Sequence, residues 1–95
     1  MLDNTLIVYI SDAADQHHSY HCKQWPMVLI GNLGGKLKTN RFLEFPKYGA
    51  KGHRTTGNCF LSLLDAVGDR REKFGAEDLD LKGIDTTGPL SEILV

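Results

Sequence analysis

Thr5-Leu-Ile-Val-Tyr-Ile-Ser-Asp12 is an apolar run that empties without a spacer into Ala13-Ala-Asp15-Gln-His17-His18-Ser-Tyr-His21-Cys22. The run is short, β-branched and carries a tyrosine, which favours a strand over a helix. Its near-continuous apolarity reads as a central strand buried on both faces. In open α/β sheets, ligands gather just past the carboxyl ends of such strands, and three of the four histidines lie at that point here.

Reading outward, residues 12 to 25 are polar and without a clean period, so they read as a long loop. Pro26 restricts the backbone before a second apolar run, Met27 to Ile30, which Gly31 and Asn32 close. Gly31-Asn-Leu-Gly34-Gly35-Lys is punctuation for a tight reversal, and Lys36 to Phe45 alternates loosely before Pro46; together they predict a hairpin at the sheet edge. A phosphate-cradling loop is excluded because no Gly-Lys-Ser/Thr follows at the required spacing. Pro46 to Arg54 reads as a surface loop carrying His53. Thr55 or Thr56 caps a helix whose Phe60, Leu63, Leu64 and Val67 share one stripe, predicted to cover a sheet face, with Gly68 as the stop. From Asp69 onward, glycines break any long element, leaving loops and a short final helix around Pro89 to Leu94.

The fold class predicted is therefore α/β: one domain over 1–95, with a small, partly parallel sheet, an edge hairpin and one main covering helix. A chain of 95 residues buries roughly 60–70% of its unfolded surface, which suffices for a modest core. A hydrophobic share of 41% and a net charge of −1 place it among globular proteins rather than disordered ones. The densest basic feature, Lys36, Lys38 and Arg41, is short and interleaved with apolar residues, so it reads as a solvated face and argues against a nucleic-acid partner. No apolar run approaches the ~20 residues that cross a bilayer, and no basic stretch leads into an apolar segment near Met1; the reading has no membrane partner and no export signal. Cys22 and Cys59 lack the spacings of a disulfide scaffold and read as reduced packing residues; Trp25 reads as a packing anchor for the loop.

Chemistry concentrates in the histidine loop. Asp12, Asp15, His17, His18 and His21 combine carboxylates with imidazoles, the donor set for a divalent cation such as zinc, manganese, iron or calcium. His17 and His21 are four apart and share a side in either a helical turn or an extended path. His53, just before the threonine cap, is a sixth imidazole-bearing or carboxylate position that could reach the same sheet end. The alternative is a surface loop with no ligand.

The segments Leu2-Asp-Asn-Thr-Leu-Ile-Val-Tyr, Met27-Val-Leu-Ile-Gly-Asn-Leu-Gly-Gly-Lys-Leu-Lys, Asn58-Cys-Phe-Leu-Ser-Leu-Leu-Asp-Ala-Val-Gly and Lys73-Phe-Gly span nearly the whole chain. As a set, they resemble the carboxyl-terminal part of an uncharacterised bacterial family allied to the sulfatase/alkaline-phosphatase-like superfamily. The resemblance implies a fragment of a larger alkaline-phosphatase-like sheet. It also implies a metal site for phosphate or sulfate ester hydrolysis, with Asp12 at the strand end, one of His17, His18 or His21 in the loop, and His53 as the later histidine. Ala13 follows Asp12 where superfamily members place an Asp-His pair, and no segment before Thr5 supplies their nucleophile. The implied protein is a truncated hydrolase remnant with an incomplete metal site and no stand-alone catalysis. The contrasting reading is a small self-associating or partner-binding module without a metal site. The fragment reading leads to a homo-oligomer, because a cut sheet leaves edges and an apolar face to be covered.

Overall fold

The computed structural model describes residues 2–11, 25–47, 49–75 and 84–95. Two four-residue strands, β1 (Ile7–Ile10) and β2 (Met27–Ile30), pair antiparallel, with Ile7 opposite Ile30, Val8 opposite Leu29, Tyr9 opposite Val28 and Ile10 opposite Met27. Both apolar runs therefore form strands, and the second does so over the residues its pattern marks. Three expectations need correction. The sheet is antiparallel rather than partly parallel. Nor is β1 a central strand buried on both faces, since Ile7, Tyr9 and Ile10 are exposed. An unbroken apolar run reports strand propensity but not how many faces acquire a cover.

The third correction concerns the edge hairpin. Leu33, Gly34 and Gly35 take left-handed backbone angles (φ 50°, 67° and 86°), and the Asn32 carbonyl accepts from the amides of Lys36 and Leu37 at 2.9 and 3.0 Å. Three successive left-handed residues make a wide turn, which carries the chain off the line of β2 instead of folding it back alongside. The partner of the following segment is the carboxyl end: Leu37 bridges Leu94 antiparallel, with Lys38 N–H to the Ile93 carbonyl at 2.9 Å and Val95 N–H to the Lys36 carbonyl at 3.1 Å. Lys36, Lys38 and Arg41 are exposed, as their spacing implies.

Helix α1 (Thr56–Ala66) starts and stops for local reasons. Thr55 is its N-cap: its hydroxyl oxygen accepts from the Asn58 amide at 3.3 Å, and the Asn58 side-chain oxygen accepts from the Thr55 amide at 2.9 Å, a reciprocal capping box. At the other end, Gly68 takes φ 89°, its amide reaches the Asp65 carbonyl at 3.0 Å, and the Asp69 amide reaches the Leu64 carbonyl at 2.8 Å. This is the Schellman arrangement that a left-handed glycine permits.

The buried face of α1 differs from the apolar stripe. Asn58, Cys59, Leu61 and Ser62 are buried, whereas Val67 is 65% exposed and Phe60 turns aside to stack on Phe74 with ring centroids 5.1 Å apart. The cover of the sheet is correspondingly mixed. Cys59 from α1 joins Leu90 and Ile93 from the carboxyl segment, Ile93 lying in a 3-10 turn (Ser91–Ile93), and Met27 and Leu29 of β2 pack on this cluster together with Leu43 and Phe45. Helix and sheet thus share a core in which the carboxyl segment supplies two of the three buried members.

Candidate functional site

The strand pair brings together the residues that flank the histidine-bearing segment 12–24. Pairing of Ile10 with Met27 brings the chain back to its point of departure, and the Trp25 indole N–H donates to the Ser11 carbonyl at 2.9 Å. Trp25 is half-buried. Asp12, Asp15, His17, His18, His21 and Cys22 lie outside the described residues. Among the described residues, no group of three or more histidine, cysteine or acidic side chains is placed to hold a metal ion.

His53 is the one candidate ligand whose surroundings are described. It is half-buried in the loop before α1, its amide donates to the Ala50 carbonyl at 3.3 Å, and its Nδ1 lies 2.7 Å from the Pro46 carbonyl oxygen. A carbonyl oxygen only accepts, so that bond requires the proton on Nδ1; in the neutral ring the lone pair is then on Nε2. This is the tautomer of a ligating histidine whose other nitrogen is held by backbone. Its neighbour Arg54 points elsewhere, with Nη2 within 3.4–3.5 Å of the carbonyls of Thr87, Gly88 and Pro89.

That contact belongs to a polar layer which residue-by-residue reading missed. Asn58 is fully buried, and every hydrogen-bonding valence of its amide is engaged. Its oxygen accepts from the Thr55 amide and from the Thr55 hydroxyl at 2.8 Å, while its nitrogen donates to the carbonyls of Thr87 at 3.2 Å and Gly88 at 2.9 Å. Ser62, also fully buried, donates to the Asn58 carbonyl at 2.8 Å and accepts from the Leu90 amide at 2.6 Å. The layer clamps α1, from its N-cap to Ser62, to residues 87–90. Asp85 stands beside it: the Thr87 hydroxyl and amide donate to its carboxylate, which holds its pKa below the usual range, with nearby Arg54 acting in the same direction. Thr-x-x-Asn at 55–58 is the legible signal, since that spacing makes a capping box. The role of Ser62 has no such local mark.

Cys59 is a packing residue, as its place in the helix suggests. It sits in the core, and burial pushes its thiol pKa up, away from the thiolate form that a nucleophile or metal ligand requires.

The most unusual surface is apolar. Opposite residues of an antiparallel pair share a face, so Ile7 and Ile30 stand beside Tyr9 and Val28 on the side turned away from the core. Their exposures are 50%, 54%, 71% and 51%. Side chains of this size at such exposure present roughly 500 Å² of contiguous apolar surface, within the range where the largest patch on a small protein commonly serves binding. No carboxylate, ammonium or guanidinium belongs to this face of either strand. Among the described residues, no helix is long and apolar enough to cross a membrane. Compared with protein-family models, with curated proteins and with solved structures, the chain matches none.

Proposed function

We propose that the chain is a small association module that docks through the outer face of β1 and β2. The observation that carries this reading is the square of Ile7, Tyr9, Val28 and Ile30, each at least half exposed, on a sheet whose other face already packs on the core. Leaving four large apolar side chains in water forgoes on the order of 1 kcal/mol or more for each, and a docked surface recovers that term. Binding of an environment-sensitive apolar dye tests the face directly. The wild-type chain gives a strong fluorescence increase, which the double substitution of Tyr9→Lys and Val28→Lys removes; an undiminished increase in that variant refutes the reading.

A second reading is favoured by the bond between Trp25 and Ser11, which brings together the two ends of a segment, 12–24, whose sequence is rich in metal-capable side chains. On this reading, the chain derives from a metal-dependent phosphate or sulfate ester hydrolase. Asp12 with His17, His18 or His21 would then hold a divalent cation, joined by His53 through Nε2, and the cation would supply Lewis acidity without a nucleophile from this chain. Zinc or manganese then raises the melting temperature, and substitution of Asp12 and His21 abolishes the rise. A melting temperature indifferent to both cations refutes it.

A further inference from the structure

We infer that the occupant of the outer sheet face is a second copy of the same chain, packed sheet on sheet about a two-fold axis. This rests on the association reading of that face and adds the partner. Four features select a copy over another kind of ligand.

The face is a pleated plane two strands wide, with Ile7 opposite Ile30 and Tyr9 opposite Val28, and it is not a groove. A peptide or helix needs a groove; a flat sheet face is matched by another sheet face, with the two stacked about 10 Å apart. The face carries no charge, so it offers nothing to select an acidic or basic partner. The chain as a whole carries a net charge of only −1, so two copies approach with little repulsion. The area also fits. Wholly covered, two such faces bury at most about 1,000 Å² together, the size of a weak, reversible interface.

In the isologous contact, each patch meets itself, and the large Tyr9 ring of one copy covers the shorter aliphatic side chains of the other. A tyrosine at the centre of a small apolar interface is the kind of side chain that carries much of its binding free energy.

Sedimentation of the full chain from low micromolar to submillimolar concentration tests the inference. The expected result is a mass that rises from one chain toward two. In Tyr9→Lys, and independently in Ile30→Thr, which retains a β-branched side chain, association weakens about tenfold or more while circular dichroism is unchanged. A mass of one chain at every concentration overturns the inference, as does a Tyr9→Lys variant that dimerises like the wild type. Dye binding separates this failure from that of the association reading. A monomer whose dye response is lost in the Tyr9→Lys and Val28→Lys variant has an apolar docking face but not this partner, whereas a monomer without that response has neither.

Discussion

The helical side of the molecule and its strand pair treat polarity in opposite ways. Where α1 meets the carboxyl segment, two of the three fully buried side chains are polar, Asn58 and Ser62, and only Leu61 is apolar. Where β1 meets β2, isoleucine, valine and tyrosine stand in water on the outer face. Burial of Asn58 is tolerable because its amide is saturated, so desolvation is offset bond by bond; one missing partner would leave a buried group unsatisfied. Exposure of the strand residues has no such internal compensation. The contrast teaches that the interior of this small chain is specified by hydrogen bonds of high sequence separation, while part of its apolar surface remains free for contact.

The sharpest way to break the contrast is to remove the clamp. Asn58→Leu keeps the volume but strands the Thr55 amide and leaves the Thr87 and Gly88 carbonyls only the long contacts to Arg54, and is expected to cost about 2–3 kcal/mol, read as a lower urea midpoint. In a domain of this size, that is a large share of total stability. A midpoint shift below about 1 kcal/mol would mean the layer is not what holds the carboxyl segment down.

Next comes the end of the strand pair itself. Gly31 follows β2 directly at φ 111°, and a Cβ there would lie 2.3 Å from the Thr5 carbonyl oxygen. Gly31→Ala is expected to destabilise by about 2–3 kcal/mol, because both the backbone angle and the close approach demand glycine. Equal stability of the two proteins would show that the backbone leading into β1 moves freely away from residue 31. Thr55→Ala removes one half of the capping box and is expected to cost about 1 kcal/mol, less than Asn58→Leu, because the buried amide keeps its bonds to residues 87 and 88.

A pH series sharpens the same ranking from the core outward. Burial raises the Cys59 pKa, so its contribution to stability is complete below the ordinary thiol value and is lost as pH rises through the folded value. The urea midpoint should therefore fall as pH rises above the ordinary thiol value of about 8.5, and less steeply in Cys59→Ala. Asp85 runs the other way. Its lowered pKa makes its contribution present above the unfolded carboxylate value and lost as pH falls through the folded one.

How much of this was legible depends on the range of the interaction involved. Met27–Ile30, the Thr55 cap and the Gly68 stop follow from neighbours within a few residues, and the local pattern marks each of them. The hairpin was misread because alternation from Lys36 to Phe45 gives no indication of which strand will pair with it. The answer, Leu94, lies more than fifty residues on. The stripe of α1 was misread because hydrophobicity counts Asn58 and Ser62 as surface, whereas their partners at Thr87, Gly88 and Leu90 make them core. The candidate metal residues Asp12, His17, His18 and His21 lie outside the described residues; of the set, His53 alone acquires a defined tautomer.

The smallest expected change in intrinsic stability, in Tyr9→Lys, provides the most direct test. Tyr9 is 71% exposed, so the dilute chain should lose no more than about 0.5 kcal/mol. The decisive measurement is the urea midpoint of both proteins as chain concentration is raised. If the bare strand face is an association surface, the wild-type midpoint climbs with concentration by mass action and that of Tyr9→Lys stays flat. A wild-type midpoint independent of concentration would contradict the account.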